Sequence, residues 1–274
     1  MTLGALINHD RPDIDAEFGK LSKMGLSTCQ FVSWETQRRS DADAQQIKRC
    51  AEKYGVVITA FWCGWSGPRV WDFIDGPRTL GLVPPEYRQM RAAQLIEGAD
   101  FAKELGVTDV VTHAGFMPED PNDPKYPGTI EALKRVASHC LENGQNFLFE
   151  SGQETPTTLL RAIEDIGTGN VYINLDAANL ILYGKANPVD ALDTIGKYVR
   201  NLHAKDGLYP VDGRELGREV PIGSGKVDFP ALLAKLKAIG YSGPVTIERE
   251  IPDGDETNGV AQAKKYLGDI LRSL

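Results

Sequence analysis

The chain has 274 residues, 42% hydrophobic and 25% charged, with a formal net charge of −8; that acidity argues against a protein that grips nucleic acid by neutralising phosphates. No apolar run approaches the ~20 residues needed to cross a bilayer, and MTLGALINHDRPD lacks the basic-then-apolar start of a secretory signal. The four cysteines, Cys29, Cys50, Cys63 and Cys140, are scattered and form no CxxC pair, so reduced thiols in a cytoplasmic protein are expected.

Apolar strand-like runs alternate with helix-like segments from one end to the other. Taken in chain order, strands are expected at 3–8, 28–33, 56–62, 109–112, 146–150, 171–176, 199–203 and 245–248. Between the second and third, the stripe Ile47, Cys50, Ala51 and Tyr54 predicts a helix that closes at Gly55. After the seventh, Asp228 is placed as an N-cap and Pro230 suits the first turn. Phe229, Leu232, Leu233, Leu236 and Ile239 then share one helical face, and Gly240 supplies the left-handed stop. Val260, Tyr266, Leu267, Ile270, Leu271 and Leu274 stripe the last helix. Several strands are almost wholly apolar, as parallel strands covered on both faces are. Eight of them with helices between predict a closed (β/α)8 barrel, a TIM barrel. No linker or change of composition divides it, so a single domain over residues 1–274 is expected. The irregular stretches 64–85, 116–128 and 207–225 follow strands three, four and seven, on the face where barrels of this kind carry active sites.

Four strand ends stand out. QNFLFE, NVYINLD, VRNLH and GPVTIE finish strands five to eight on Glu150, Asp176, His203 and Glu248. An isolated polar strand end usually has a local partner, but four in succession converge on one arc of the barrel rim. Burying three unpaired carboxylates together is costly unless a cation lies among them. One nitrogen and three carboxylates suit a single divalent ion, Mn²⁺ first, with Mg²⁺, Co²⁺ or Zn²⁺ as alternatives.

FLFESG, NLDAANL, NLHAKDG and the run PIGSGKVDFPALLAKLKAIGYSGPVTIERE, in that order, resemble the metal-bearing segments of the xylose isomerase-like barrels. That group includes sugar phosphate isomerases, ketose 3-epimerases and inosose isomerases or dehydratases. The resemblance covers essentially the whole chain and is strongest after residue 145. It implies that Glu150 and Glu248 are the catalytic acid and base, exchanging a proton with the substrate carbon next to a carbonyl through a metal-stabilised enediolate. It also implies that Asp176 and His203 mainly hold the ion. Some members have a histidine three residues after the sixth-strand aspartate, where this chain has Asn179. With only His9, His113, His139 and His203, the trinuclear zinc set of the related endonucleases cannot be completed, and His139 reads as a surface or packing residue.

Around this centre, His113 at the end of VTHAGF is a candidate to bind substrate or orient Glu150. Lys205 alternates onto the same side as His203 and could touch a substrate oxygen. Arg218, with Arg214, lies on the long loop after strand seven and could cap an anionic group. Trp62, with Trp34, Trp65 and Trp71, could wall the carbon face of a sugar or simply pack the loops. Cys63 has no basic partner to make it a nucleophile. GSGK at 223–226 lacks the GxxxxGK[ST] frame and is the turn leading into the next helix. The expected activity is thus a metal-dependent isomerase or epimerase of a small polyhydroxy carbonyl compound. The alternatives are an inosose-type dehydratase using the same site, or a metal-free carbohydrate-binding barrel. A homo-oligomer is possible, with Tyr241 among the aromatics available to an interface.

Overall fold

The apolar runs close into a parallel barrel in a computed structural model, which describes residues 1–250 and 256–274. The first half of the chain runs β1 (Thr2–Asn8), α1 (Ile14–Lys23), β2 (Thr28–Ser33), α2 (Asp41–Tyr54), β3 (Val57–Cys63), α3 (Gly76–Thr79), α4 (Pro85–Glu104) and β4 (Asp109–Thr112). Next come α5 (Tyr126–Glu142), β5 (Asn146–Glu150), α6 (Pro156–Ile166), β6 (Val171–Asp176), α7 (Ala177–Leu182), α8 (Pro188–Ile195) and β7 (Val199–Ala204). The last part holds β8 (Asp206–Leu208), β9 (Arg218–Val220), α9 (Phe229–Ala238), β10 (Pro244–Ile247) and α10 (Glu256–Ser273).

The barrel order is β1-β10-β7-β6-β5-β4-β3-β2, closed and parallel, so β10 is the eighth barrel strand. β5, β6, β7 and β10 are successive neighbours, which sets the four polar strand ends side by side. Inside the barrel, Val32, Ala60, Trp62, Val111 and Leu148 pack together, while a larger apolar layer fills the space between strands and helices. Most expected strand limits hold, but Val56 belongs to the helix stop rather than to β3. Gly55 takes φ +64°, and the Val56 N–H returns 2.9 Å to the Ala51 carbonyl.

Most helix signals hold, but Leu274, expected in the stripe of the last helix, lies past the end of α10 and is exposed. Ser40 and Asp43 form a reciprocal capping box on α2, and Asp228 caps α9 through the Ala231 N–H at 3.0 Å. Gly240 has φ +88° as expected, but Ile239 lies past the last turn of α9 and is exposed. Tyr241 donates its hydroxyl to the Pro244 carbonyl at 2.5 Å, an internal contact at the start of β10. No helix among the described residues is long and apolar enough to cross a membrane.

The stretch expected to be irregular at 207–225 contains an antiparallel ribbon, β8 on β9. Three-residue strands are too short to show a period in the sequence. The ribbon is held from within: the Asp206 carboxylate accepts the N–H groups of Gly207, Gly223, Gly225 and Val227 at 2.8–3.1 Å. The GSGK backbone therefore wraps a carboxylate of its own chain. The loop after β3 is likewise tied down by one residue. Arg91, wholly buried, donates to the carbonyls of Ser66, Pro68, Thr79 and Gly81 and stacks 3.8 Å from the Trp65 ring centre.

Candidate metal centre

Glu150, Asp176 and His203 are the rim residues of β5, β6 and β7, with Asp176 paired to His203 across the ladder. Glu248 lies one residue beyond β10, held by its N–H to the Ala204 carbonyl at 3.3 Å. Their donor atoms all lie within 4.8 Å of one another. His203 Nδ1 is 2.8 Å from Glu248 Oε2, 3.3 Å from Glu150 Oε1 and 3.7 Å from Asp176 Oδ2.

The surroundings hold the other atoms of these groups and leave the inner ones bare. Asp176 Oδ1 caps α7 through the Asn179 N–H at 2.8 Å, so Oδ2 is left for the site. Ser151 Oγ bonds both the N–H and the carbonyl of Asp176, locking the ends of β5 and β6 together. The Trp62 indole N–H donates to Glu150 Oε2, while Glu150 Oε1 takes the Asn179 amide at 3.4 Å. Asp176 Oδ2, His203 Nδ1 and Glu248 Oε2 are buried with no hydrogen-bond partner. Ion-pair distances connect them, but not hydrogen-bond geometry. Buried atoms turned on one point without a hydrogen bond, with only ion-pair contacts to Lys205 and to one another among the described residues, fit a divalent cation bound by three carboxylates and an imidazole.

Lys205 is the cation the chain itself provides. It is 3% exposed, and Nζ lies 3.1 Å from Asp176 Oδ2, 3.2 Å from Glu248 Oε2 and 2.9 Å from Glu250 Oε2. Burial by itself raises a carboxyl pKa and lowers that of a base. Glu150 overcomes its burial because the His113 and His203 rings face it, and it is held down to about 2. Asp176 also stays below the carboxylate range against burial, with Lys205 and His203 as the cause. Burial wins at Glu248 despite the same two cations, pushing it up to about 8. His203 and Lys205 resist desolvation and sit well above their ordinary values, since carboxylates surround both. The two glutamates are thus shifted in opposite directions, Glu150 down by the facing imidazoles and Glu248 up by burial.

The model of one protein family, described as xylose isomerase-like TIM barrel, matches residues 18–270. The chain belongs to that family. A crystal structure of a xylose isomerase domain protein from Planctomyces limnophilus superposes with a TM-score of 0.92 at 34% identity, covering 99% of this chain and 98% of the other. An uncharacterised protein of Methanocaldococcus jannaschii is 30% identical over 66% of this chain, and the match spans 63% of that protein. D-psicose 3-epimerase of Agrobacterium fabrum is 22% identical over 87% of this chain and 81% of its own length. Inosose dehydratase of Geobacillus kaustophilus is also 22% identical, over 89% and 84%.

In this member of the family Glu150 and Glu248 of the centre line a cavity of about 480 Å³. Trp34, Trp62 and Trp71 line it together with His113, Lys205, Glu150 and Glu248. Trp34 and Trp62 lie 4.6 Å apart between ring centres, and His113 meets Trp62 at 5.6 Å and Trp71 at 5.1 Å. His113 Nε2 is 3.7 Å from Glu150 Oε1, within reach of both substrate space and the carboxylate. Trp65, by contrast, is wholly buried under Arg91 and does not line the cavity. Arg218 is exposed on β9 and is not among the lining residues, and neither is Arg214; the segment between β8 and β9 presents Leu216 instead. A lysine in HAKDG can equally be solvated, and burial between carboxylates decides against that. Cys63 does have a basic neighbour, Arg39, but burial outweighs it and raises the thiol pKa, and His139 is a surface partner of Asp100 at 2.6 Å.

Gln30 and Glu250 escape a reading from sequence, whereas Asn179 stands out there as the departure from a family histidine but is given no role. Asn179 faces Glu150 one helical turn after Asp176, and that spacing was its available signal. Gln30 sits within the apolar run of β2 and touches His203. Glu250, two residues past Glu248, is the third partner of Lys205.

Proposed function

We propose that this chain is a divalent-metal-dependent isomerase or epimerase of a small polyhydroxy carbonyl compound, Mn²⁺ being the favoured ion. The observation that supports it is the convergence of buried atoms of Asp176, His203 and Glu248 that form no hydrogen bond, beside Glu150, where Glu150 and Glu248 line an aromatic-walled cavity. When bound, the ion supplies polarisation of the substrate carbonyl and compensation for the charge that develops on its oxygen. Asp176 and His203 hold position, since the first also caps α7 and the second is buried on both sides. Glu150, oriented by Trp62, takes the proton from the carbon beside the carbonyl. Glu248 returns a proton from another side and inverts the centre. The Lys205 ammonium adds a fixed positive charge near the substrate oxygens. His113 and Asn179 offer hydrogen bonds to hydroxyls, and Trp62 with Trp34 covers the carbon face of the substrate. Arg218 remains available at the outer edge for an anionic group on a longer substrate.

The second reading is a dehydratase. Its support is that a dehydratase and an epimerase among the relatives are equally similar to this chain. The first proton abstraction is the same, and Glu248 then protonates a departing hydroxyl rather than the carbon.

The test uses Mn²⁺-loaded protein in deuterated water with ketoses, ketose phosphates and inososes. Deuterium at the carbon next to the carbonyl, in a product of unchanged composition, is the expected result, and chelation abolishes it. A product lighter by one water selects the dehydratase. Elemental analysis without a bound divalent ion, together with neither label nor product across the panel, would defeat the proposal.

A further inference from the structure

A histidine binds a metal through a ring nitrogen that carries no hydrogen, so the partner of the other nitrogen decides which one is free. The partner of His203 Nε2 is Gln30, whose Oε1 lies 2.5 Å away. A carboxamide oxygen can only accept, so this contact requires the hydrogen on Nε2, and Nδ1, facing the three carboxylates, is the nitrogen that gives up its hydrogen to a bound ion. Gln30 is wholly buried on β2, with β1 and β10 between it and β7.

A carboxamide can also be turned over. With its NH₂ toward His203, the ring would have to accept at Nε2 and carry its hydrogen on Nδ1, closing the side that faces the ligands. The structure has the first arrangement, with the amide oxygen toward His203. The Gln30 Nε2 donates to Asn174 Oδ1 at 3.0 Å, and Asn174, wholly buried on β6, stands directly across the barrel from β2. Asp176 is two residues further along the same strand. A chain of amides spanning the barrel interior therefore runs from one ligand strand to another ligand's ring.

We propose that Gln30 is a positioning residue that holds His203 with its hydrogen on Nε2 and Nδ1 free for a divalent cation, the Gln30 NH₂ being donated to Asn174 on its other side. This rests on the metal-centre reading above. The test is a calorimetric titration of Mn²⁺ into wild-type protein, Gln30→Met and Gln30→Glu, with circular dichroism to verify the fold. Gln30→Met removes the acceptor at similar volume and is expected to bind the ion roughly 10–100-fold more weakly. Gln30→Glu keeps an acceptor and is expected to bind at least as tightly as wild type. Nitrogen–proton correlation spectra of histidine-labelled, Mg²⁺-loaded wild-type protein should place the His203 hydrogen on Nε2. Equal affinity of Gln30→Met and wild type, or a hydrogen on Nδ1, overturns the inference while leaving the metal centre intact. If Gln30→Met does not fold, Gln30→Glu and the wild-type spectra still decide. A wild-type protein that binds no divalent ion defeats the metal centre itself, and this shows before any variant is made.

Discussion

Glu154, four residues past β5, is wholly buried, and neither of its carboxyl oxygens has a hydrogen-bond partner. Burial pushes its pKa from 4.5 up to about 8. Between those two values the unfolded chain has lost the Glu154 proton while the folded chain keeps it. Stability associated with the neutral acid is therefore complete below the unfolded value and is lost as pH climbs towards the folded one. Each pH unit in that window costs ~1.4 kcal/mol, and the window spans roughly 3.5 units, so the loss approaches roughly 5 kcal/mol near pH 8. A wholly buried group has no solvent screening to reduce this. Glu154→Gln keeps the size of the side chain and has no proton to lose. Its unpaired amide carries a cost of its own, but one that does not vary with pH. Urea unfolding of both proteins in chelator, at steps from roughly pH 5 to 8, yields the difference in stability as a slope. Wild type is expected to weaken relative to Glu154→Gln by ~1.4 kcal/mol per unit across the window. Two parallel curves, differing by a constant within ~0.5 kcal/mol, would refute the reasoning. They would mean that Glu154 is already ionised inside the fold.

Lys205→Met deprives Asp176 and Glu248 of their buried cation and should cost the metal-free protein roughly 3–5 kcal/mol. Saturating Mn²⁺ neutralises the same carboxylates and should recover most of that loss in thermal unfolding, whereas an equal loss with and without the ion would contradict the shared charge role. Glu150→Gln and Glu248→Gln each keep an oxygen donor, so calorimetry should still find a bound ion, while turnover falls roughly 10²–10⁴-fold. A metal-loaded variant of either that works at close to the wild-type rate would transfer the proton step to Lys205 or His113.

The barrel was legible in the sequence because its physics is local. A parallel strand buried on both faces must be apolar along its length, and its helices must carry stripes, caps and stops such as Ser40, Gly55, Asp228 and Gly240. The candidate ligands were legible for the same reason, since an acid or imidazole that ends an apolar run contradicts its surroundings and so announces itself. Gln30 and Asn174 gave no such signal. A neutral amide inside a strand is unremarkable until the closed barrel brings β2 across from β6 and beside the ring of His203. Lys205 and Arg218 show the same limit from the other side. Both are cations near the seventh strand, and nothing local says which is buried among carboxylates and which is left in solvent. Sequence determined which residues had to lie at the rim of a barrel. The tertiary structure decided what each one faces, because a side chain's partners and its charge state depend on strands that are far away along the chain.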